Sequence, residues 1–198
     1  MSRDPSIDQG DCEPGCLVFV VGPSGAGKDT LIRGAQARLA DDPRIRFVRR
    51  AITRPVDGSE DHESVSEAEF VARRDAGDFA LSWQAHGLSY GVPVEALRQV
   101  QDGHIVVCNG SRAAIAAARS AFPRVRIVLV TAPYDVLQFR IRARNRESNI
   151  GDRLARSFPD LADASCDLII DNSGPASAGI ESICGDIQST AARCCSDA

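Results

Sequence analysis

The residues best suited to chemistry stand together near the N-terminus, in a glycine-rich segment that ends in lysine: Gly22, Pro23, Ser24, Gly25, Ala26, Gly27 and Lys28. Glycine lets the backbone curl until successive N–H groups face a phosphate, and the lysine adds a mobile positive charge. An apolar run, Cys16–Val21, precedes the segment, and helical spacing of apolar residues follows it. The sequence therefore predicts a P-loop between a strand and a helix, which binds the phosphates of ATP.

The position after the lysine departs from the usual P-loop pattern, which places a Mg²⁺-binding hydroxyl there. This chain has Asp29 at that position and Thr30 directly after it. Asp29 could reach Mg²⁺ directly or through water, or Thr30 could hold the metal while Asp29 favours the helix start electrostatically. A loop that has lost ATP binding is a third interpretation, and the intact glycines and Lys28 disagree with it.

A second cluster of charge lies on a predicted helix that carries Arg140, Arg142, Arg144 and Arg146 at i,i+4 spacing, followed by Arg153 and Arg156. Each pair of like charges at this spacing costs an isolated helix about 0.2–0.5 kcal/mol. One interpretation is a solvated helix face. The other is a set of arginines that neutralises a phosphoryl group during transfer, which phosphoryl transfer beside a P-loop requires.

The elements that must position these residues alternate between strand and helix, which predicts an α/β fold with a mostly parallel sheet covered on both faces. We predict further strands over residues 44–53, 104–108, 125–131 and 167–170, with two short strands and a turn over 79–91. Helices are predicted from Ser66, which forms a capping box with Glu69, to 77, and over 94–101, with Pro93 at the first helical position. Three more are predicted over 111–121, from Pro133, and over 176–192.

Composition and charge exclude several classes of protein. The 198 residues carry a formal net charge of −4, so neither a nucleic-acid nor a membrane surface is indicated. No apolar run is long enough to span a bilayer, and residues 1–15 lack the apolar segment of a signal peptide. We therefore expect a disordered lead-in over 1–15, a cytoplasmic protein, and a tail over 194–198. The seven cysteines are scattered, which favours free thiols over disulfides or a metal site.

Four motifs together resemble the guanylate kinase family: the GPSGAGK loop, the segment 52–55 (ITRP), the segment 79–91 with its H-G and Y-G pairs, and the arginine helix. The resemblance covers roughly residues 16–173. It implies a three-layer P-loop NTPase fold in one domain over 16–193, with an acceptor-binding insert over 50–91 and a helical lid over 138–157. It further implies that Lys28, Arg140, Arg144 and Arg153 act on the transferred group, and that the acceptor contacts Arg50, Arg54, Tyr90, Asn109 and Arg112.

This chain differs from guanylate kinases in the part of the acceptor site that binds guanine in that family. Leu81 stands where guanylate kinases carry a base-reading glutamate, and His62 replaces a tyrosine that binds phosphate. A site without the carboxylate loses its hold on guanine N–H groups. The Lys28–Asp29 pair, the FALSW stretch and the NGSR element are similar instead to ribose 1,5-bisphosphate phosphokinases. That resemblance implies an ATP- and Mg²⁺-dependent kinase acting on a small-molecule sugar phosphate.

Two other functions stay open at this point. A nucleoside monophosphate kinase with altered base preference would turn over a nucleotide, and Leu81 argues against guanine. A non-catalytic guanylate-kinase-like binding module would have lost the P-loop lysine and the lid arginines, which this chain retains. The sequence is compatible with a monomer or a homodimer.

Overall fold

The computed structural model describes residues 13–55, 61–144 and 166–196. Its central element is β1, Cys16–Val21, every residue of which is buried. Parallel strands flank it in the order β2-β7-β1-β8-β9; these are β2 (Ile45–Phe47), β7 (Ile105–Asn109), β8 (Val125–Thr131) and β9 (Leu168–Asp171). A strand buried on both faces has no need of polar alternation, which explains the unbroken apolar run of β1.

Helices cover both faces of this sheet and form two hydrophobic clusters with it. The first cluster contains Val18 and Val20 of β1 with residues of α1 (Lys28–Arg38) and α6 (Ala176–Ser196). The second contains Leu17 and Phe19 with residues of α3 (Val94–Gln101) and α4 (Ile115–Ala121). Successive side chains of β1 therefore enter opposite layers, and the predicted parallel sheet between helices is confirmed.

A second sheet stands beside the first, in the order β4-β3-β6-β5. Its strands are β3 (Ala51–Ile52), β4 (Glu63–Ser64), β5 (Phe79–Ala85) and β6 (Leu88–Pro93). The last two form an antiparallel hairpin. Helix α2 (Glu67–Asp75) packs on this sheet, and its N-cap Ser66 accepts a hydrogen bond from the backbone N–H of Glu69, as the capping box predicts. The predicted pair of short strands with a turn is confirmed.

The single strand predicted over residues 44–53 is wrong. The chain leaves the first sheet after Phe47 and joins the second at Ala51. Between them, the Arg50 side chain is buried against aromatic rings and Arg49 pairs with Asp61. The backbone partners change as well: the N–H of Val48 donates to the carbonyl of Val107 in the first sheet, whereas the carbonyl of Arg50 accepts from the N–H of Glu63 in the second.

Smaller differences concern element ends. Pro93 is the N-cap of α3 and the last residue of β6, not the first helical residue. A short 3₁₀ turn, Arg112–Ala114, precedes α4. The fifth helix, α5 (Tyr134–Arg144), begins one residue after the predicted start at Pro133.

Part of the predicted organisation lies outside the described residues. This applies to most of the lead-in over 1–15, to residues 145–157 of the predicted lid and to the end of the tail. Within the described ranges, no helix combines the length and apolar character needed to cross a membrane.

Candidate active site

The P-loop runs from the carboxyl end of β1 to the first turn of α1, and two of its glycines are required by the backbone. Gly22 and Gly27 have φ angles of +148° and +92°, a region that other residues rarely adopt. A Cβ on Gly22 would overlap the carbonyl of Val130, and one on Gly27 would overlap the amide of Asn172. The loop can therefore pack against the neighbouring strands only with glycine at these two positions.

Lys28 is the first residue of α1, and its side chain folds back over the loop. The Nζ group donates hydrogen bonds to the carbonyls of Gly22 at 2.8 Å and Pro23 at 3.1 Å. These bonds place a positive charge next to the loop, at the positive end of the α1 dipole. The arrangement suits the binding of phosphate anions.

The Asp29 side chain, on the first turn of α1, is held by a residue at the end of β7. Asn109, the last residue of β7, donates a hydrogen bond from Nδ2 to Oδ1 of Asp29 at 2.7 Å. The buried Oδ1 of Asn109 accepts no hydrogen bond from the part of the chain that the structure describes. The sequence resemblance assigned Asn109 to the acceptor, and the structure adds this hydrogen bond to Asp29 on the first turn of α1.

Asn172 joins the P-loop to α5, and sequence reasoning missed it. The residue follows β9, is 4% exposed, and donates from Nδ2 to the carbonyl of Ala26 at 2.8 Å. Its own backbone carbonyl accepts a hydrogen bond from Nη2 of Arg140 at 2.8 Å. Arg140 therefore lies next to the P-loop, joined to it through Asn172. An asparagine at the carboxyl end of a parallel strand was the available signal.

Arg50, in the stretch of chain between the two sheets, lies against a pair of aromatic rings. Its side chain is 5% exposed, and Cζ lies 5.6 Å from the ring centroid of Trp83 and 5.3 Å from that of Tyr90. The two rings are stacked, with centroids 5.3 Å apart. Contact with ring faces stabilises the guanidinium and fixes its position. The structure thus brings the predicted residues Arg50 and Tyr90 together.

His62, which replaces a phosphate-binding tyrosine of guanylate kinases, is buried although it lies in a polar stretch of the sequence. It is 1% exposed, and Nε2 lies 3.1 Å from the backbone carbonyl of Arg54. A carbonyl only accepts, so Nε2 carries the proton in this contact. His62 thereby ties the residue directly before β4 to the segment after β3 and fixes the backbone at Arg54.

The remaining predicted residues are placed as follows. Leu81 is buried at 5% exposure in the second hydrophobic cluster, so its position carries no base-reading group. Arg112 lies in the 3₁₀ turn that follows β7 and is half-buried. The Arg144 side chain and the whole of Arg153 lie outside the described residues.

A cleft of about 130 Å³ lies between α1 and the stretch of chain that passes from the first sheet to the second. Asp29 and Asn109 line one end, and Arg50 lines the wall that the chain forms as it passes between the sheets. Within the described ranges, no group of three or more histidine, cysteine or acidic side chains could hold a metal ion.

The known proteins that match most of this chain include two that share about half of its residues. Ribose 1,5-bisphosphate phosphokinase PhnN from Methylobacterium radiotolerans is 50% identical over 165 residues, covering 82% of this chain and 92% of that protein. The protein of the same name from Bradyrhizobium diazoefficiens is 47% identical over 181 residues, covering 89% and 91%. No protein-family model matches the chain.

Among solved structures, guanylate kinase from Anaplasma phagocytophilum superposes with a TM-score of 0.68 at 17% identity, covering 89% of this chain and 87% of that one. At this identity the likeness concerns the fold alone. It confirms the predicted guanylate-kinase-like P-loop fold.

Proposed function

The chain belongs to the ribose 1,5-bisphosphate phosphokinase family, and from that membership we propose that it transfers the γ-phosphoryl group of ATP to the 1-phosphate of ribose 1,5-bisphosphate. The products are 5-phosphoribosyl 1-diphosphate and ADP. The observation that carries this proposal is the identity of about half the residues with relatives of that name over more than four fifths of the chain. The intact P-loop beside an arginine-lined cleft agrees with it.

At the donor end, the P-loop amides and Lys28 hold the β- and γ-phosphates of ATP. Arg140, whose Nη1 is buried and has no hydrogen-bond partner among the described residues, has a donor available for the transferred group. Arg144 and Arg153 are proposed to approach the same group from the lid. Charge that spreads over the phosphoryl oxygens during transfer is stabilised by such donors.

At the acceptor end, Arg50, Arg54 and Tyr90 bind the acceptor, and Arg112 approaches from the turn after β7. An oxygen of the 1-phosphate attacks the γ-phosphorus as the bond to the β,γ-bridging oxygen breaks, and ADP leaves with that electron pair. The nucleophile is already anionic at neutral pH, so the step needs no general base. Positioning and charge neutralisation therefore supply the catalysis.

The residues present suit Mg²⁺. The Asp29 carboxylate and the Thr30 hydroxyl are hard oxygen donors on the first turn of α1, the ligand type that Mg²⁺ prefers. The hydrogen bond from Asn109 orients Asp29, and we assign Asp29 as the principal protein ligand. When bound, Mg²⁺ neutralises charge on the ATP phosphates.

The two other functions have less support. A guanylate-type kinase needs a polar group at the position of Leu81, which is apolar and buried. A non-catalytic binding module has no use for a P-loop lysine folded over the loop and an arginine bonded beside it.

The test is ADP release with Mg²⁺ and ATP, measured in parallel on ribose 1,5-bisphosphate, GMP and AMP. We expect stoichiometric ADP only with the sugar bisphosphate, and none with the Lys28→Ala variant. Turnover of GMP at a comparable kcat/KM would instead identify a divergent guanylate kinase.

A further inference from the structure

One face of α1 forms a wall of the cleft. Asp29, Arg33 and Gln36 lie at i, i+4 and i+7 along the helix and all line it, as residues on a shared helix face must. With a rise of about 1.5 Å per residue, Arg33 lies about 6 Å further from the P-loop than Asp29. The cleft therefore continues beyond the place where phosphoryl transfer occurs, and an arginine lines the continuation.

The opposite wall carries a second arginine, Arg49, whose side chain is 62% exposed. Arg49 pairs through Nε with Oδ1 of Asp61 at 2.7 Å and donates from Nη2 to the carbonyl of His62 at 3.0 Å. Two bonds from different atoms hold the guanidinium plane against the cleft. By contrast, Arg33 is exposed and forms no hydrogen bond or ion pair with the residues that the structure describes.

The charges around the cleft are unevenly distributed. Arg33, Arg49 and Arg50 face two carboxylates, Asp29 and Asp61. Asp29 lies at the P-loop end, and Asp61 is engaged by Arg49. The end remote from the P-loop therefore carries positive charge that its own acidic residue does not balance. A positively charged cleft end of this kind fits a phosphate.

We propose that Arg33 and Arg49 form a second phosphate subsite, which holds the non-reacting 5-phosphate of the acceptor while its 1-phosphate faces the P-loop. The inference rests on the proposed function and names how that site distinguishes its substrate. An acceptor with phosphates at both ends of a sugar spans the cleft from the P-loop end to the arginine pair. A sugar monophosphate fills only one of the two ends.

Two monophosphates separate the two ends experimentally. Ribose 5-phosphate carries only the group assigned to Arg33 and Arg49, and ribose 1-phosphate carries only the reacting group. We would measure the Kd of each by titration calorimetry for the wild type, Arg33→Gln and Arg49→Gln. Arg38→Gln is the matched control, because Arg38 is exposed on α1 and lies outside the cleft lining.

The expected result is a rise of about 10–100-fold in the Kd of ribose 5-phosphate for Arg33→Gln and Arg49→Gln, the effect of losing a hydrogen bond between charged groups. The Kd of ribose 1-phosphate should change less than about two-fold, a shift too small to report such a bond, and Arg38→Gln should match the wild type. Arg33→Gln removes no contact among the described residues, so misfolding does not confound it.

Three results would each overturn the subsite. They are an equal loss of affinity for both monophosphates, an unchanged Kd of ribose 5-phosphate for Arg33→Gln, and no binding of ribose 5-phosphate to the wild type. Failure of the proposed function shows differently. It would appear as absence of ADP release by the wild type with ribose 1,5-bisphosphate, whatever these Kd values are.

Discussion

The side chain of Asn109 donates a hydrogen bond to the Asp29 carboxylate at 2.7 Å and so joins the end of β7 to the first turn of α1. Asp29 occupies the position where the P-loop pattern places a metal-binding hydroxyl. A carboxylate in that place can rotate away from the loop, and the amide of Asn109 holds one of its oxygens. The two residues are therefore best understood as one unit in which a neighbouring strand orients the ligand.

Removing the orienting amide should impair catalysis without abolishing the fold. For Asn109→Ala we expect kcat to fall about 10–100-fold and the Mg²⁺ concentration for half-maximal rate to rise, as happens when a partner that orients a metal ligand is lost. Steady-state rates across a Mg²⁺ titration measure both. A companion variant, Asn109→Asp, brings a like charge next to Asp29 and should be at least as impaired. Wild-type Mg²⁺ dependence in both variants would show that Asp29 needs no orientation.

Asn172 should matter for the donor rather than the acceptor. Asn172→Ala leaves the carbonyl of Ala26 without its donor, which loosens the P-loop, and we expect KM for ATP to rise about ten-fold, the equivalent of one lost hydrogen bond. KM for the sugar bisphosphate should stay within two-fold, roughly the scatter of such comparisons. The neighbouring exposed Ser173→Ala is the control. An effect confined to the acceptor KM would contradict this role.

Asp186 of α6 should contribute strongly to stability. It accepts from Nε of Arg126 at 2.9 Å, and its side chain is 8% exposed. We expect Asp186→Asn to lower the free energy of unfolding by about 1.5–3 kcal/mol, measured by urea denaturation. Asp75→Asn removes the ion pair between Asp75 and Arg74, in which the Asp75 side chain is 62% exposed. This variant should lower the free energy of unfolding by less than about 1 kcal/mol. Similar losses for the two variants would refute the distinction.

Burial, with a smaller effect from the nearby Cys194, raises the pKa of the Cys16 thiol to about 12. An unfolded thiol ionises near 8.5, so above that pH the unfolded chain releases a proton that the folded chain keeps. The contribution of the Cys16 thiol to the free energy of unfolding is fully present below about pH 8.5 and is lost as the pH rises toward 12. Ionisation of the unfolded thiol should therefore lower the stability of the wild type relative to Cys16→Ala by about 1–2 kcal/mol between pH 8 and 10.

Urea denaturation at the two pH values, under reducing conditions, measures this change. The matched control is Val18→Ala, a truncation in the same buried strand without a titrating group. Its difference from the wild type should be the same at both pH values. If the difference in free energy of unfolding between Cys16→Ala and the wild type were also the same at both pH values, the thiol would ionise alike in the folded and unfolded chain.

Local patterns were sufficient for much of the fold. The apolar run of β1 and the glycines of the P-loop each report a local requirement, and Ser66 with Glu69 marks the start of α2 directly. Such signals depend on residues that are neighbours in sequence, and the structure has each element where they indicate.

Contacts between distant residues were not predictable in the same way. Arg50, at the change of sheet between Phe47 and Ala51, contacts the rings of Trp83 and Tyr90 in the β5–β6 hairpin, which comes later in the chain. His62 lies in a polar stretch of sequence that is typical of a loop. Its burial arises only when two segments of the second sheet meet, so no local pattern indicates it. Asn172 and Ala26 lie 146 positions apart in the chain, and only the parallel packing of β1, β8 and β9 brings them together.

The most direct measurement of the central claim is the position of the transferred phosphoryl group. Wild-type protein would be incubated with Mg²⁺, ribose 1,5-bisphosphate and ATP labelled in the γ-phosphoryl group, and the product examined by ³¹P NMR and label position. We predict a diphosphate on C1 with the label only in its terminal phosphate, and no product with Lys28→Ala. Label on the 5-phosphate side, or label released only as inorganic phosphate, would contradict phosphoryl transfer to the 1-phosphate.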